Sequence, residues 1–214
     1  MDRRTRTLFD FIFQNRPETI LEVGCGEGIA LHYANPAQYV GVDTSFARLR
    51  FASTHHRGRS FVQGNGISLP FCSERFDLVF CNGTLHHLPK SQVFLFIEEM
   101  RRICKKGGWV AIIEPNVYNP SSLLLAVLRK PERGILHCKS KTFLDYFETL
   151  GMNHEVKLSY DGTFSLMNLL THFLRKRRFV NAPWFNKLWE RIDWVLYRTI
   201  PRKFWSNIMI MTKK

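Results

Sequence analysis

No run of 18 or more apolar residues occurs in the 214-residue chain, so its sequence offers no membrane-crossing helix. The opening MDRRTRTLFDFIF has only a short apolar stretch, interrupted by Asp10, and no small-residue cleavage site follows. A secretory leader is therefore not expected. Cysteine is sparse: Cys25, Cys72, Cys81, Cys104 and Cys138 are odd in number, scattered and without a CxxC pair. That argues against a disulfide scaffold and against structural zinc, and it fits packed thiols in a reducing cytoplasm. Without a leader, Asn82-Gly83-Thr84 reads as a chance match to the glycosylation sequon. Internal repeats and low-complexity tracts are absent as well. Acidic residues are few, 18 against 31 Lys and Arg, which leaves a net charge of +13. Such a field favours RNA, DNA or an anionic lipid surface; the plainer reading is a basic solvated surface. At 45% hydrophobic and 23% charged residues, the composition is that of one globular domain with a sizeable core.

Apolar strands alternate with helical patterns along the chain. Strands are expected at Thr19–Val23, Gln38–Asp43, Ser60–Gln63, Phe76–Cys81, Trp109–Glu114, His154–Tyr160 and Asn207–Lys213. Helices are expected at Thr5–Gln14, from Glu27 to Tyr33, at Ser45–Thr54, at Ser91–Cys104, after Asn119-Pro120 and at Lys141–Gly151. Lys105-Lys106-Gly107-Gly108 reads as a helix stop. Fully apolar strands between helices argue for a parallel sheet covered on both faces.

LEVGCGEG, Leu21 to Gly28, sets three glycines at alternate positions behind the first strand. Strand, glycine loop and helix is where open parallel sheets bind ligands. Glycines there let the backbone come close to a ligand, with loop amides facing it; they also simply serve a tight turn. The dinucleotide fingerprint fails, because Ile29 stands at its last glycine position, and the Gly-Lys-Ser/Thr ending of a phosphate loop is missing. What stands there is acidic-x-G-x-G-x-G, led by Glu22. Asp43 ends the second strand, where a carboxylate can accept both hydroxyls of a ribose. An acidic residue beside the loop disfavours phosphate and suits a cationic sulfonium and an ammonium group.

At this point the chain resembles the class I S-adenosylmethionine-dependent methyltransferases, in particular the UbiE/COQ5-like, methyltransferase type 11 group. LEVGCGEG, GVDTS, QGNGISLPF, FDLVFCNGTLHHL and RRICKKGGWVAIIEPN resemble five family motifs in order, over about Arg16 to Asn116. The resemblance implies an α/β fold: a Rossmann-like seven-stranded, mostly parallel sheet with helices on both faces and the last strand antiparallel. It implies S-adenosylmethionine as cofactor and S-adenosylhomocysteine as product. Gly24, Cys25, Gly26 and Gly28 would line the methionine part, Glu22 would steady the loop or the amino group, and Asp43 with Thr44 would take the ribose. Asn65, where the family more often has Asp, would meet the adenine amine, with Gly66 and Ile67 beside it. Asn82 would stand next to the reacting centre, or satisfy loop backbone. His86 and His87 would line the active site, with proton transfer a further role for either. Adjacent histidines do not share a helix face as metal pairs do, and the sequence shows no third ligand, so no metal is expected.

No Asn/Asp-Pro-Pro-Tyr/Phe sequence stands at Asn82, and no Pro-Cys pair occurs. This disfavours amino-methylation of bases and pyrimidine C5 chemistry. A small-molecule acceptor, apolar or lipid-linked and methylated at oxygen or carbon, is the simplest reading. RNA methylation, or a noncatalytic cofactor- or RNA-binding module, is the alternative. Three parts are expected: a cofactor-binding core over 1–163, a helical lid or insertion over 164–204, and the last strand over 205–214. The insertion combines Arg175, Lys176, Arg177 and Arg178 with an aromatic helical stripe including Trp184 and Trp189. It would serve as a lid, as a contact with an anionic membrane surface, or as an RNA contact. A cytoplasmic location, peripheral to the inner membrane face, goes with that reading.

Overall fold

The computed structural model describes residues 10, 17–32, 38–152, 155–161, 191, 192, 195 and 198–214. Strands β1 (Thr19–Val23), β2 (Gln38–Asp43), β3 (Ser60–Gln63), β4 (Phe76–Asn82), β5 (Cys104–Pro115), β6 (Val156–Asp161) and β7 (Asn207–Lys213) form one sheet. Their order is β3-β2-β1-β4-β5-β7-β6. β1 to β5 pair in parallel, and β7 lies antiparallel between β5 and β6. Among the described residues, four α-helices have both ends given: α1 (Phe46–His55), α2 (Lys90–Ile103), α3 (Pro120–Leu128) and α4 (Ser140–Thr149).

Successive side chains of a strand point to opposite faces, and both faces are covered at the centre of the sheet, so β1, β4, β7 and the second half of β5 are mostly apolar. Val79, Cys81, Val110, Ile112, Ile208 and Ile210 face one side, where Phe96, Ile97 and Met100 of α2 and Phe143 and Phe147 of α4 cover them. Leu78, Phe80, Ala111, Ile113, Met209 and Met211 face the other, with Ile20, Tyr39 and Ala30. Local chemistry starts the helices. The Ser45 hydroxyl accepts from Arg48 N before α1, and Asn119 Oδ1 accepts from Ser121 N and Ser122 N ahead of Pro120 in α3.

Three expectations are corrected. The helix does end before Lys105-Lys106-Gly107-Gly108, at Ile103, but these four residues do not cap it: they belong to β5, which bulges at a left-handed Gly107 whose N donates to Lys214 O. Among the described residues, Glu27 and Gly28 are turn and Ile29–His32 is a 3-10 helix, where a helix start was expected from Glu27; Tyr33 lies outside the described residues. The sixth strand starts at Val156 rather than His154. The helix expected at Thr5–Gln14 and the insertion expected over 164–204 lie largely outside the described residues. Among the described residues, no helix is long and apolar enough to cross a membrane.

Candidate active site

The strand order reverses between β1 and β4, and the carboxyl ends of β1, β2 and β4 open there into a cleft of about 860 Å³. Glu22, Gly24, Cys25, Gly26, Asp43, Thr44, Asn65, Gly66 and Asn82 all line it, as do His87, Arg48 and Thr84. Of the residues singled out in the sequence, Gly28, Ile67 and His86 are the ones not on that wall. Ile67 packs against the larger core cluster.

The glycine loop is organised differently from the expectation. Gly24 N and Cys25 N both donate to Val42 O, at 2.7 and 2.9 Å, and Gly28 N donates to Cys25 O at 2.9 Å. Gly26 N donates to Asp43 Oδ2 at 2.8 Å. These four amides are engaged within the protein and do not face a ligand, which suits a cation better than a phosphate. Space is organised likewise. Gly24 has φ +77°, and a Cβ there would overlap the Thr84 side chain; a Cβ at Gly28 would lie 2.9 Å from His56. Only at Gly26 would a Cβ meet nothing closer than Arg48, at 3.7 Å. Two of the three glycines therefore seat the protein's own side chains, and one leaves the cleft wall open.

Asp43 closes the loop. Its Oδ2 accepts from Gly26 N and its Oδ1 from Ser45 N, both at 2.8 Å. Each oxygen keeps a lone pair, so the carboxylate can still accept two hydroxyls from the cleft. Glu22 is buried and bonded to the Tyr39 hydroxyl. Burial pushes its carboxyl up to about 8, against the pull of the Tyr39 hydrogen bond and with the charge of Asp43 adding to the rise. Burial also pushes the Cys25 thiol up, which leaves it inert. Asn65 Oδ1 accepts from Ile67 N at 3.2 Å and retains one acceptor position.

The wall beyond β4 is built on a residue that sequence reasoning missed. Glu114, at the end of β5, has no exposure. Its Oε1 accepts from Thr84 N at 2.8 Å and Leu85 N at 2.7 Å. Its Oε2 lies 2.7 Å from His86 Nδ1 and 3.4 Å from His86 N. One buried carboxylate thus caps the 3-10 turn Leu85–His87 and holds the His86 ring. Burial works against charge on that ring, but the bond to and charge of Glu114, joined by Glu132, prevail and hold the His86 pKa above its ordinary 6.5. His86 is an interior anchor, whereas His87 faces the cleft. Desolvation, then the neighbouring His86, hold the His87 pKa below 6.5. His87 Nδ1 donates to Pro131 O at 3.3 Å, and Nε2 is the acceptor nitrogen of the neutral ring.

Comparisons with known proteins bear on the fold and the family. Residues 21–112 match a family model described as a methyltransferase domain. This segment is a methyltransferase domain of the class I fold. A phthiotriol/phenolphthiotriol dimycocerosates methyltransferase of Mycobacterium tuberculosis is 35% identical over 105 residues, 45% of this chain and 38% of the relative. A fatty-acid O-methyltransferase of Mycolicibacterium smegmatis is 36% identical over 96 residues, 42% of this chain and 34% of the relative. The matched segment thus spans little more than a third of those relatives. A SAM-dependent methyltransferase from Archaeoglobus fulgidus superposes with a TM-score of 0.65 at 18% identity, covering 99% of this chain and 92% of that one. The [4+2]-cyclase SpnF superposes at 0.64 with 17% identity, covering 97% and 80%. These structures show the shared fold alone.

The cofactor of the methyltransferase domain is S-adenosylmethionine, and the cleft fits it. Two carboxylates suit a cationic ligand, the wall at Gly26 is open, and the loop offers no row of free amides for a phosphate.

Proposed function

We propose that this protein is an S-adenosylmethionine-dependent methyltransferase whose acceptor is apolar or lipid-linked and is methylated at oxygen or carbon. The observation that carries the acceptor class is a second cavity, of about 170 Å³, on the far side of the Leu85–Leu88 turn. Leu85, Leu88, Val93, Leu136, Phe143 and Tyr146 line it, with Lys90 and Lys139, and Leu88 lines both this cavity and the cofactor cleft. An apolar chain beside the methyl donor, with cations available for an acidic head, is the chemistry this wall would take. The fatty acid and the dimycocerosates in the relatives' names support the same class.

The bound sulfonium supplies a methyl group on a good leaving group, so the protein's part is alignment and exclusion of water. Asp43 would accept the two ribose hydroxyls, and Glu22 would face the ammonium group. Arg48, beside Gly26, would meet the carboxylate, while Asn65 would accept from the adenine amine. Asn82 and His87 would flank the acceptor at the reacting centre, and His86 keeps the turn that carries His87 in place.

The raised Glu22 carboxyl gives a pH signature. A cationic ligand favours the ionised form, so binding below about pH 8 releases a proton. Cofactor affinity should rise with pH between about pH 6 and pH 8, by at most about tenfold per unit, and then level off. Titration calorimetry across that range checks the slope, and Glu22→Gln should flatten it.

The acceptor class is tested by incubating the full chain with methyl-labelled S-adenosylmethionine and a whole-cell extract, then separating lipid, nucleic-acid, protein and small-molecule fractions. Label should collect with the lipids and other apolar small molecules. Label confined to RNA would overturn the acceptor class while leaving the cofactor assignment intact.

A further inference from the structure

We propose that His86, His87 and Glu132 form a binding site for a divalent cation of the zinc class in the wall between the two cavities. The sequence shows no third ligand for the histidine pair. The fold supplies one, because the segment Lys130–His137 packs onto the Leu85–His87 turn so closely that a Cβ on Gly134 would overlap the His86 carbonyl. One ring nitrogen of each histidine and one carboxylate oxygen of Glu132 then lie within 4.8 Å of one another.

Three further features mark this as a built site. First, His86 Nε2 stands 3.4 Å from Glu132 Oε2. A good N–H···O bond is about 2.9 Å. Two ligands of a tetrahedral zinc, with bonds of about 2.0–2.1 Å, stand about 3.3–3.4 Å apart. Second, the outer partners are in place. His86 Nδ1 is held by Glu114 at 2.7 Å, the carboxylate–histidine arrangement that turns the other nitrogen's lone pair towards a metal. Glu132 is held through its other oxygen, with Arg129 Nη1 3.7 Å from Oε1. Third, two carboxylates flank one buried imidazole, and a dication between His86 and Glu132 balances them better than a single proton.

Two imidazole nitrogens and one carboxylate oxygen are a borderline donor set, suited to zinc over calcium or magnesium. Three protein ligands leave a fourth position open, and His87 faces the cofactor cleft. An oxygen of a hydroxyl or carboxylate compound is the ligand for that position. The site stands on its own geometry and does not depend on methyl transfer.

The test uses the full chain, freed of metal by a chelator and titrated with zinc against a chromogenic competitor, with cobalt substitution as a spectroscopic check. One equivalent should bind, and cobalt should give the intense visible bands of a four-coordinate site. Glu132→Gln and His87→Gln should each weaken zinc by at least about a hundredfold. Glu132 is partly exposed, so Glu132→Gln should keep the wild-type melting curve in the absence of metal. Cys72→Ser, which removes the exposed thiol, should bind zinc as the parent does. Failure of the parent chain to bind an equivalent would overturn the site, as would equal binding by the Glu132→Gln and His87→Gln variants. Cofactor binding, measured separately without zinc, tells the fate of this site from that of the methyltransferase reading.

Discussion

Replacing Asp43 with Ala should abolish measurable cofactor binding. The carboxylate does two things at once: it anchors Gly26 N and Ser45 N at 2.8 Å, and it presents its remaining lone pairs to the cleft. Hydrogen bonds to a charged group are each worth about 1.5–3 kcal/mol. Losing two to the ribose amounts to about 3–6 kcal/mol, a weakening of roughly 10²- to 10⁴-fold. Release of the Gly26 amide adds to this by loosening the loop. Asp43→Asn should fall between the two, since the amide nitrogen would oppose one of the backbone donors. Calorimetry with S-adenosylhomocysteine reads the effect directly, and affinity for Asp43→Ala within threefold of the parent would remove Asp43 from the site.

Glu114→Ala should have the largest effect on folding. The substitution strips the partners from the amides of Thr84 and Leu85, and from a buried His86 ring. Breaking a buried, hydrogen-bonded charge pair typically costs about 3–5 kcal/mol. Urea unfolding should show a loss of that size, with the turn Leu85–His87 the first part to open. A pH signature accompanies it. Because the folded His86 pKa lies above its unfolded value of 6.5, its contribution is complete below 6.5 and is lost as pH rises through the folded value. Glu114→Gln keeps much of the capping but removes the charge, so its stability should depend less on pH than the parent's. A parent chain whose stability rises through that window would contradict the account of His86.

The strands were legible because both faces of the sheet are buried, so apolar runs such as FDLVF and WVAII announce themselves. Asp43 was legible for the complementary reason, as a lone acidic residue ending an apolar strand, and Glu22 as the acidic residue that leads the glycine pattern. Glu114 carries the same signal at the end of WVAIIE and was passed over, because nothing local shows which backbone it caps: its partners are 28 to 30 residues away. Glu132 was hidden for the same reason, since it meets His86 only through the close approach at Gly134. The glycine loop was read correctly as a loop and only partly as a cradle. A one-dimensional pattern cannot tell whether the space beside a glycine belongs to a ligand or to Thr84. The bulge at Gly107 was misread for a related reason: Lys-Lys-Gly-Gly is ordinary stop chemistry, and its pairing with Lys214 depends on the far end of the chain.

The most direct measurement is a crystal structure of the full chain with S-adenosylhomocysteine. The account predicts the ribose hydroxyls on Asp43, the amino acid part beside Gly26 and Glu22, and the adenine beside Asn65 and Gly66. The sulfur should point towards Asn82 and His87. A ligand bound elsewhere, or a cleft that excludes it at saturating concentration, would contradict the account.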